Sequence, residues 1–100
     1  MTNKSEVLDQ LIKIIRTNKS KSPELSYTSA LFKKGKIKIA NKVGEESTET
    51  ITAFLSQGKN EIAEESADLI FHLFVLLEYS SVSPDDVFDV LFDRMNNAKK

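Results

Sequence analysis

The sequence predicts an all-α fold, a bundle of four to five helices, on three observations. Apolar residues recur at spacings of three and four, as at Leu8, Leu11, Ile12 and Ile15. No stretch alternates apolar and polar residues between hairpin turns, so no strand is expected. The breaks between periodic segments carry helix punctuation: Ser26, Gly35, Gly58, and Ser83-Pro84-Asp85-Asp86. One hundred residues make a single domain, 1–100. A chain this short buries a modest share of its surface, and a partner subunit is one way to complete its core.

The elements follow in order. Ser5 to Thr17 carries one apolar helical face, with Ser5 placed to cap it. Asn18 to Leu25 is polar, contains Pro23, and reads as a connector. A short helix is expected after Ser26, running through Ala30, Leu31 and Phe32 and stopping at Gly35. The third helix, about Lys36 to Ser56, has Ile39, Val43, Thr50 and Phe54 on or near one stripe, widened by Ile37, Ala40, Ile51 and Leu55. Gly58 ends it, and Asn60 is placed to cap the fourth, with Glu61 as a first-turn charge. That helix runs to about Glu78, and its second half, Leu69 to Leu77, is apolar all round apart from His72. Such a helix is expected to be buried on every side by more than one neighbour, with another subunit as one candidate. Tyr79 to Val82 reads as a loop. Ser83 with Pro84, Asp85 and Asp86 then starts the last helix, whose apolar face is Val87, Phe88, Val90, Leu91 and Met95.

Composition narrows the function. Lys plus Arg is 14 and Asp plus Glu is 15, a net charge of −1, which gives no support for a nucleic-acid partner. The absence of cysteine excludes disulfides and thiolate metal sites. Met1 to Ser5 leads into an amphipathic segment without the apolar core of a signal peptide. The apolar run Leu73 to Leu77 is far short of a membrane span. A cytoplasmic protein with no membrane partner is expected.

The chemistry gathers between Lys42 and Asp68. Glu45, Glu46 and Glu49 lie three and four apart on one helix, and Glu65 and Asp68 three apart on the next. A short turn lays the helices antiparallel and directs five carboxylates into one volume. Like charges at these spacings destabilise a helix, and crowded carboxylates do not all stay ionised. A hard divalent cation, Mg²⁺ first, offsets that repulsion. The competing reading is a solvated acidic face. It is weakened by Glu45 and Glu46, which precede an apolar stripe, and by Asp68, which falls between Ala67 and Leu69 where burial is expected. Glu61 and Glu64 sit where the helix dipole favours acids and stay outside the ligand set.

Other residues keep two readings each. His72, four after Asp68, either orients a carboxylate, touches a phosphate, or is a satisfied core histidine. Lys42 is either an ion-pair partner of Glu45 and Glu46 or a phosphate contact. Lys33, Lys34, Lys36 and Lys38 form a basic face, either merely solvated or attracting a polyphosphate. Ser26, Tyr27, Thr28 and Ser29 are either a helix cap with polar filler or a hydrogen-bonding lip for a ligand. There is no phosphate-binding glycine loop, no dinucleotide fingerprint and no zinc motif.

Glu45-Glu46-x-x-Glu49, fifteen residues, then Glu65-x-x-Asp68 resembles the signature of the all-α, MazG-like nucleoside triphosphate pyrophosphohydrolases. Ser26-Tyr27-Thr28-Ser29, Lys42-Val43-Gly44-Glu45-Glu46 and Ala67-Asp68-Leu69-Ile70-Phe71-His72-Leu73 narrow the resemblance to the phosphoribosyl-ATP pyrophosphohydrolase family, over residues 6 to 94. Ser47, where alanine is common, and the polar stretch after Gly58 depart from the pattern without touching a candidate ligand. The resemblance implies Mg²⁺-dependent, homodimeric cleavage of phosphoribosyl-ATP between its α and β phosphates, the second step of histidine biosynthesis. It also implies a stand-alone enzyme, with no room for the cyclohydrolase often fused to this family. Glu46, Glu49, Glu65 and Asp68 are the expected metal ligands. Glu45 is a further ligand or the group that deprotonates water, while Lys38, Lys42, Ser26, Tyr27, Thr28 and His72 are the expected substrate contacts. The rivals are a housekeeping pyrophosphohydrolase of free nucleoside triphosphates, using the same carboxylates, and a non-catalytic helical dimer with an acidic groove.

Overall fold

The computed structural model describes residues 4–97. A 3-10 turn, Lys4–Glu6, leads into α1 (Val7–Asn18); then come α2 (Tyr27–Lys34), α3 (Lys36–Ser56), α4 (Lys59–Tyr79) and α5 (Pro84–Asn96). The described residues contain no strand, and the fold is an all-α bundle. No helix among them is long and apolar enough to cross a membrane.

Local sequence sets each boundary. The Ser26 hydroxyl accepts a hydrogen bond from the Ser29 amide at 3.1 Å and starts α2. Gly35 stops it at φ +93°, a conformation that disfavours any side chain. Its amide donates to the Leu31 carbonyl while its own carbonyl accepts from Ile39, so one residue both ends α2 and begins α3. Ser83 and Asp86 form the reciprocal cap of α5: the Asp85 amide donates to the Ser83 hydroxyl, and the Ser83 amide to the Asp86 carboxylate.

Several expectations change. The cap of α4 is Gly58, not Asn60, which lies inside the helix; Glu61 reaches back and accepts from the Gly58 amide at 3.1 Å. Tyr79 is the last residue of α4 rather than loop. Asp68 is exposed, because it falls on the outer side of α4. Within the chain the second half of α4 buries His72, Phe74 and Val75 and leaves Ile70 and Leu73 exposed, an arrangement that the expected packing on more than one neighbour allows. As for the Ser5 cap, the Ser5 side chain lies outside the described residues, and the position preceding α1 is Glu6, which makes no side-chain cap bond.

α3 and α4 form the central antiparallel pair, joined by Gln57 and Gly58. α1 runs alongside α4 in the same direction. Its first turns lie beside Ala67 and Phe71, and its end is tied by Arg16 and Lys19 to Glu78 at 3.1 and 2.5 Å. Ile15, Leu31, Ile39, Phe74 and Val75 make the core, with Leu11, Ile12, Phe32, Phe71, Leu76, Leu77 and Phe88 packed around it. The buried face of α3 is Ile39, Glu46 and Ala53, seven residues apart each time. Phe54 and Leu55, read as part of the apolar stripe, point outward.

Candidate active site

The seven-residue spacing that buries Ile39 and Ala53 places Glu46 between them, 6% exposed, in the seam that faces α4. Glu49, three residues on, lies nearer solvent, and Glu65 faces both from α4. One carboxylate oxygen from each of Glu46, Glu49 and Glu65 lies within 4.8 Å of the others. Glu45, adjacent to Glu46, turns roughly 100° away; its side chain is 54% exposed and pairs with Lys42 at 3.5 Å. Three of the five expected carboxylates therefore meet. Glu45 and Asp68 stand outside that oxygen cluster.

The cluster is electrostatically uncompensated on the α4 side. Among the described residues, Glu65 Oε1 is the buried side-chain polar atom without a hydrogen-bond partner. Burial first, and then the charges of Glu49, Asp68 and Glu46, push the Glu65 carboxyl above the ordinary carboxylate range. A buried lone pair without a donor costs free energy. An oxygen-lined set of three acids with one orphaned oxygen fits a hard divalent cation, and with one histidine and no cysteine it does not fit a soft one.

Thr50 holds the two carboxylate-bearing helices in register. Its hydroxyl lies 2.8 Å from the Glu46 carbonyl and 3.2 Å from the Glu65 carbonyl, so one proton is shared across the α3–α4 seam beside the cluster. Sequence reading placed Thr50 on an apolar stripe and missed this role. The available signal was its position, four after Glu46, where a hydroxyl back-bonds to the helix.

Around the cluster stand the other candidates. Lys42 Nζ lies 3.5 Å from both Glu45 and Glu46, so it is the ion pair expected along the helix. Burial tends to lower its pKa, and attraction from Tyr27, Glu45 and Glu46 outweighs that and raises it. Lys38 is half-buried one turn earlier on α3. Ser26 is buried and occupied: its hydroxyl donates to the Asn18 carbonyl at 3.2 Å as well as capping α2. Ser29, also buried, donates to the Lys21 carbonyl. Thr28 is buried too. Of that hydroxyl group, Tyr27 alone is exposed, and its hydroxyl meets His72 Nε2 at 2.8 Å. Burial first, then Glu46 and Glu45, raise the Tyr27 pKa against the pull of Lys42.

The helical bundle and its facing glutamates define the class: an all-α protein with a carboxylate-lined cleft, the architecture expected of the all-α nucleoside triphosphate pyrophosphohydrolases. The comparisons narrow it. The sequence model of the phosphoribosyl-ATP pyrophosphohydrolase family matches residues 8–95. A phosphoribosyl-ATP pyrophosphatase of Sulfurisphaera tokodaii is 52% identical over 91 residues, covering 91% of this chain and 97% of that one. One of Metallosphaera sedula is 47% identical over 91% and 98%, and one of Saccharolobus islandicus 46% over 84% and 89%. The chain belongs to the phosphoribosyl-ATP pyrophosphohydrolase family.

Proposed function

We propose that this chain hydrolyses phosphoribosyl-ATP to phosphoribosyl-AMP and pyrophosphate, the second step of histidine biosynthesis, with Mg²⁺ in the cytoplasm. The observation that carries the reading is the Glu46–Glu49–Glu65 cluster with its orphaned oxygen, in a chain of this family.

Glu46, Glu49 and Glu65 hold the cation, and Asp68, whose charge Glu65 already feels, completes the set from the exposed side of α4. Bound there, Mg²⁺ neutralises charge on the phosphate oxygens. Glu45, turned out of the cluster, orients the attacking water and accepts its proton. The oxygen of that water bonds to phosphorus as the anhydride bond between the α and β phosphates breaks, and the bond's electron pair leaves with pyrophosphate. Lys42 and Lys38 line one wall, where they hold the phosphate chain. Ser26 and Thr28, both buried, shape the lip under Tyr27 rather than donating to the ligand.

The functional unit is a single domain over the whole chain, and it works as a homodimer. Ile51, Phe54 and Leu55 on α3 and Val90, Leu91, Phe92 and Met95 on α5 are large apolar side chains left exposed in the single chain. A second copy covers them.

The test is pyrophosphate release by purified protein with phosphoribosyl-ATP, ATP or dNTPs, each with Mg²⁺ and with EDTA. Release from phosphoribosyl-ATP alone, abolished by EDTA, is expected. Release from dNTPs alone moves the protein to the housekeeping reaction on the same carboxylates. No release from any of them overturns the reading.

A further inference from the structure

We propose that the open face of the Tyr27 ring is the platform on which the nucleotide's base stacks, and that His72 is a positioning residue that fixes this ring without touching the nucleotide. The proposal rests on the reading of the carboxylate cleft as a nucleotide site and adds where the base lies. It replaces the expectation that His72 touches substrate.

His72 follows Glu65 by seven residues on α4, so the two lie on one face of the helix, about 10 Å apart along its axis. The Tyr27 hydroxyl lies 2.8 Å from His72 Nε2, which places the tyrosine at the far end of that stretch. α3 runs the other way alongside it. Thr50 meets Glu65 across the seam at 3.2 Å, and from there α3 passes Glu46 and then Lys42 as α4 runs from Glu65 to His72. The face thus carries three acids at one end and an aromatic ring at the other. That is the order of chemistry along a nucleotide bound through its phosphates, and the separation is about the reach of one ribose and base.

The ring is held as a platform must be. One face of Tyr27 stacks on Phe71 at 6.1 Å and 26°, and Phe71 is itself packed against the core. The hydroxyl edge meets His72, whose ring stands at 81° to it. No ring contact on the second face of Tyr27 occurs among the described residues, and the residue is 52% exposed. A half-exposed aromatic ring, fixed on one face and at one edge, suits the flat face of a nucleobase. The hydrogen-bond direction follows from the backbone. His72 Nδ1 lies 2.7 Å from the Asp68 carbonyl oxygen, which can only accept, so Nδ1 carries the proton. Nε2 is then the acceptor, and the Tyr27 hydroxyl donates to it. Both ring nitrogens of His72 are spent within the protein, and the residue is 7% exposed. What remains to His72 is the orientation of Tyr27.

The test compares two probes with the same number of phosphates, each with Mg²⁺: α,β-methylene-ATP, which carries a base and is not cut at the α–β position, and inorganic tripolyphosphate, which has none. Wild type is expected to bind the first more tightly, and its adenine protons to move upfield under the ring current of Tyr27. Tyr27→Leu is expected to weaken the nucleotide roughly tenfold or more, to abolish the upfield shift, and to leave tripolyphosphate binding unchanged. His72→Leu is expected to weaken the nucleotide less than Tyr27→Leu does, and to add nothing in a Tyr27→Leu background. His72→Gln, whose amide oxygen can accept from Tyr27, is expected to recover most of that loss. His72 is the one histidine in the chain, so its ¹⁵N spectrum is that of a single imidazole, and the Nδ1-protonated tautomer is expected. Equal wild-type affinity for the two probes overturns the proposal, as does an equal loss of both in Tyr27→Leu. A further loss from His72→Leu in the Tyr27→Leu background, or an Nε2-protonated tautomer, overturns the role of His72. Failure to turn over phosphoribosyl-ATP sinks the proposed function and leaves this test standing, since it reads binding of an uncut nucleotide and needs no reaction.

Discussion

Glu65 and Glu78 are carboxylates on the same helix, treated in opposite ways. Glu78, near the end of α4, receives Arg16 and Lys19 from α1 at 3.1 and 2.5 Å. Burial works against its charge, yet the hydrogen bonds from Lys19 and Arg16 hold its carboxyl below the ordinary range. Glu65 faces Glu46 and Glu49, keeps one buried oxygen without a donor, and is pushed above that range. One acid is satisfied by the fold itself; the other keeps a buried oxygen that the fold leaves without a donor. An acid of the first kind contributes to stability. An acid of the second kind costs stability until a cation arrives, which marks a site rather than a scaffold.

The largest expected effect comes from removing a member of the unsatisfied cluster. Glu49→Gln should lower pyrophosphate release at least ~100-fold while leaving the far-ultraviolet circular dichroism unchanged, because it deletes one charge from the cluster and no packing. Wild-type turnover in a folded Glu49→Gln variant contradicts the assignment. Thr50→Val comes next. It keeps the side-chain shape and removes the proton shared by the Glu46 and Glu65 carbonyls, so Mg²⁺ affinity should fall roughly tenfold or more, with a smaller change in melting temperature. Equal Mg²⁺ affinity in the two proteins separates Thr50 from the site.

Smaller effects sharpen the contrast between the two acids. Glu78→Gln should cost about 0.5–1 kcal/mol at neutral pH, since both cationic partners are partly exposed and screened. Its folded pKa is depressed, so the stabilisation is present above the unfolded carboxylate value of about 4.3 and is lost as pH falls through the folded value. The wild type and the variant should then melt together in acid. Glu65→Gln should do the reverse in metal-free protein. A raised folded pKa means the native state keeps its proton longer than the unfolded chain, so wild-type stability falls as pH rises through that window. The variant should melt higher than wild type at neutral pH, and the gap should close below about pH 4. Melting curves across pH that move the same way for both variants erase the distinction.

Most of the bundle was legible because its punctuation is local. Ser26, Gly35 and Ser83-Pro84 act within one turn, and the helices they bound fall where the sequence put them. Asn60 misled because Gly58 with Glu61 makes an equivalent cap two residues earlier, a choice that depends on where α3 releases the chain. The acidic residues of the site were legible as a group from their spacing. Their individual orientations were not, because adjacent residues differ by a rotation that only the packing of α3 on α4 fixes. That packing turns Glu46 inward, Glu45 outward and Asp68 to solvent. The clue lay in the seven-residue step Ile39, Glu46, Ala53, which sets an acid in a buried register. Thr50 and the His72–Tyr27 contact join residues 15 and 45 positions apart, a relation that periodicity within one helix does not carry.

The central claim is that Glu46, Glu49 and Glu65 form a cation site. Calorimetric titration of Mg²⁺ into metal-free wild type and metal-free Glu65→Gln tests it most directly. Saturable binding to the wild type, with a rise of about 2.7 kcal/mol in stability at one hundred times the dissociation constant and none in the variant, is the result expected. Equal binding to both proteins, or no binding to either, contradicts the account.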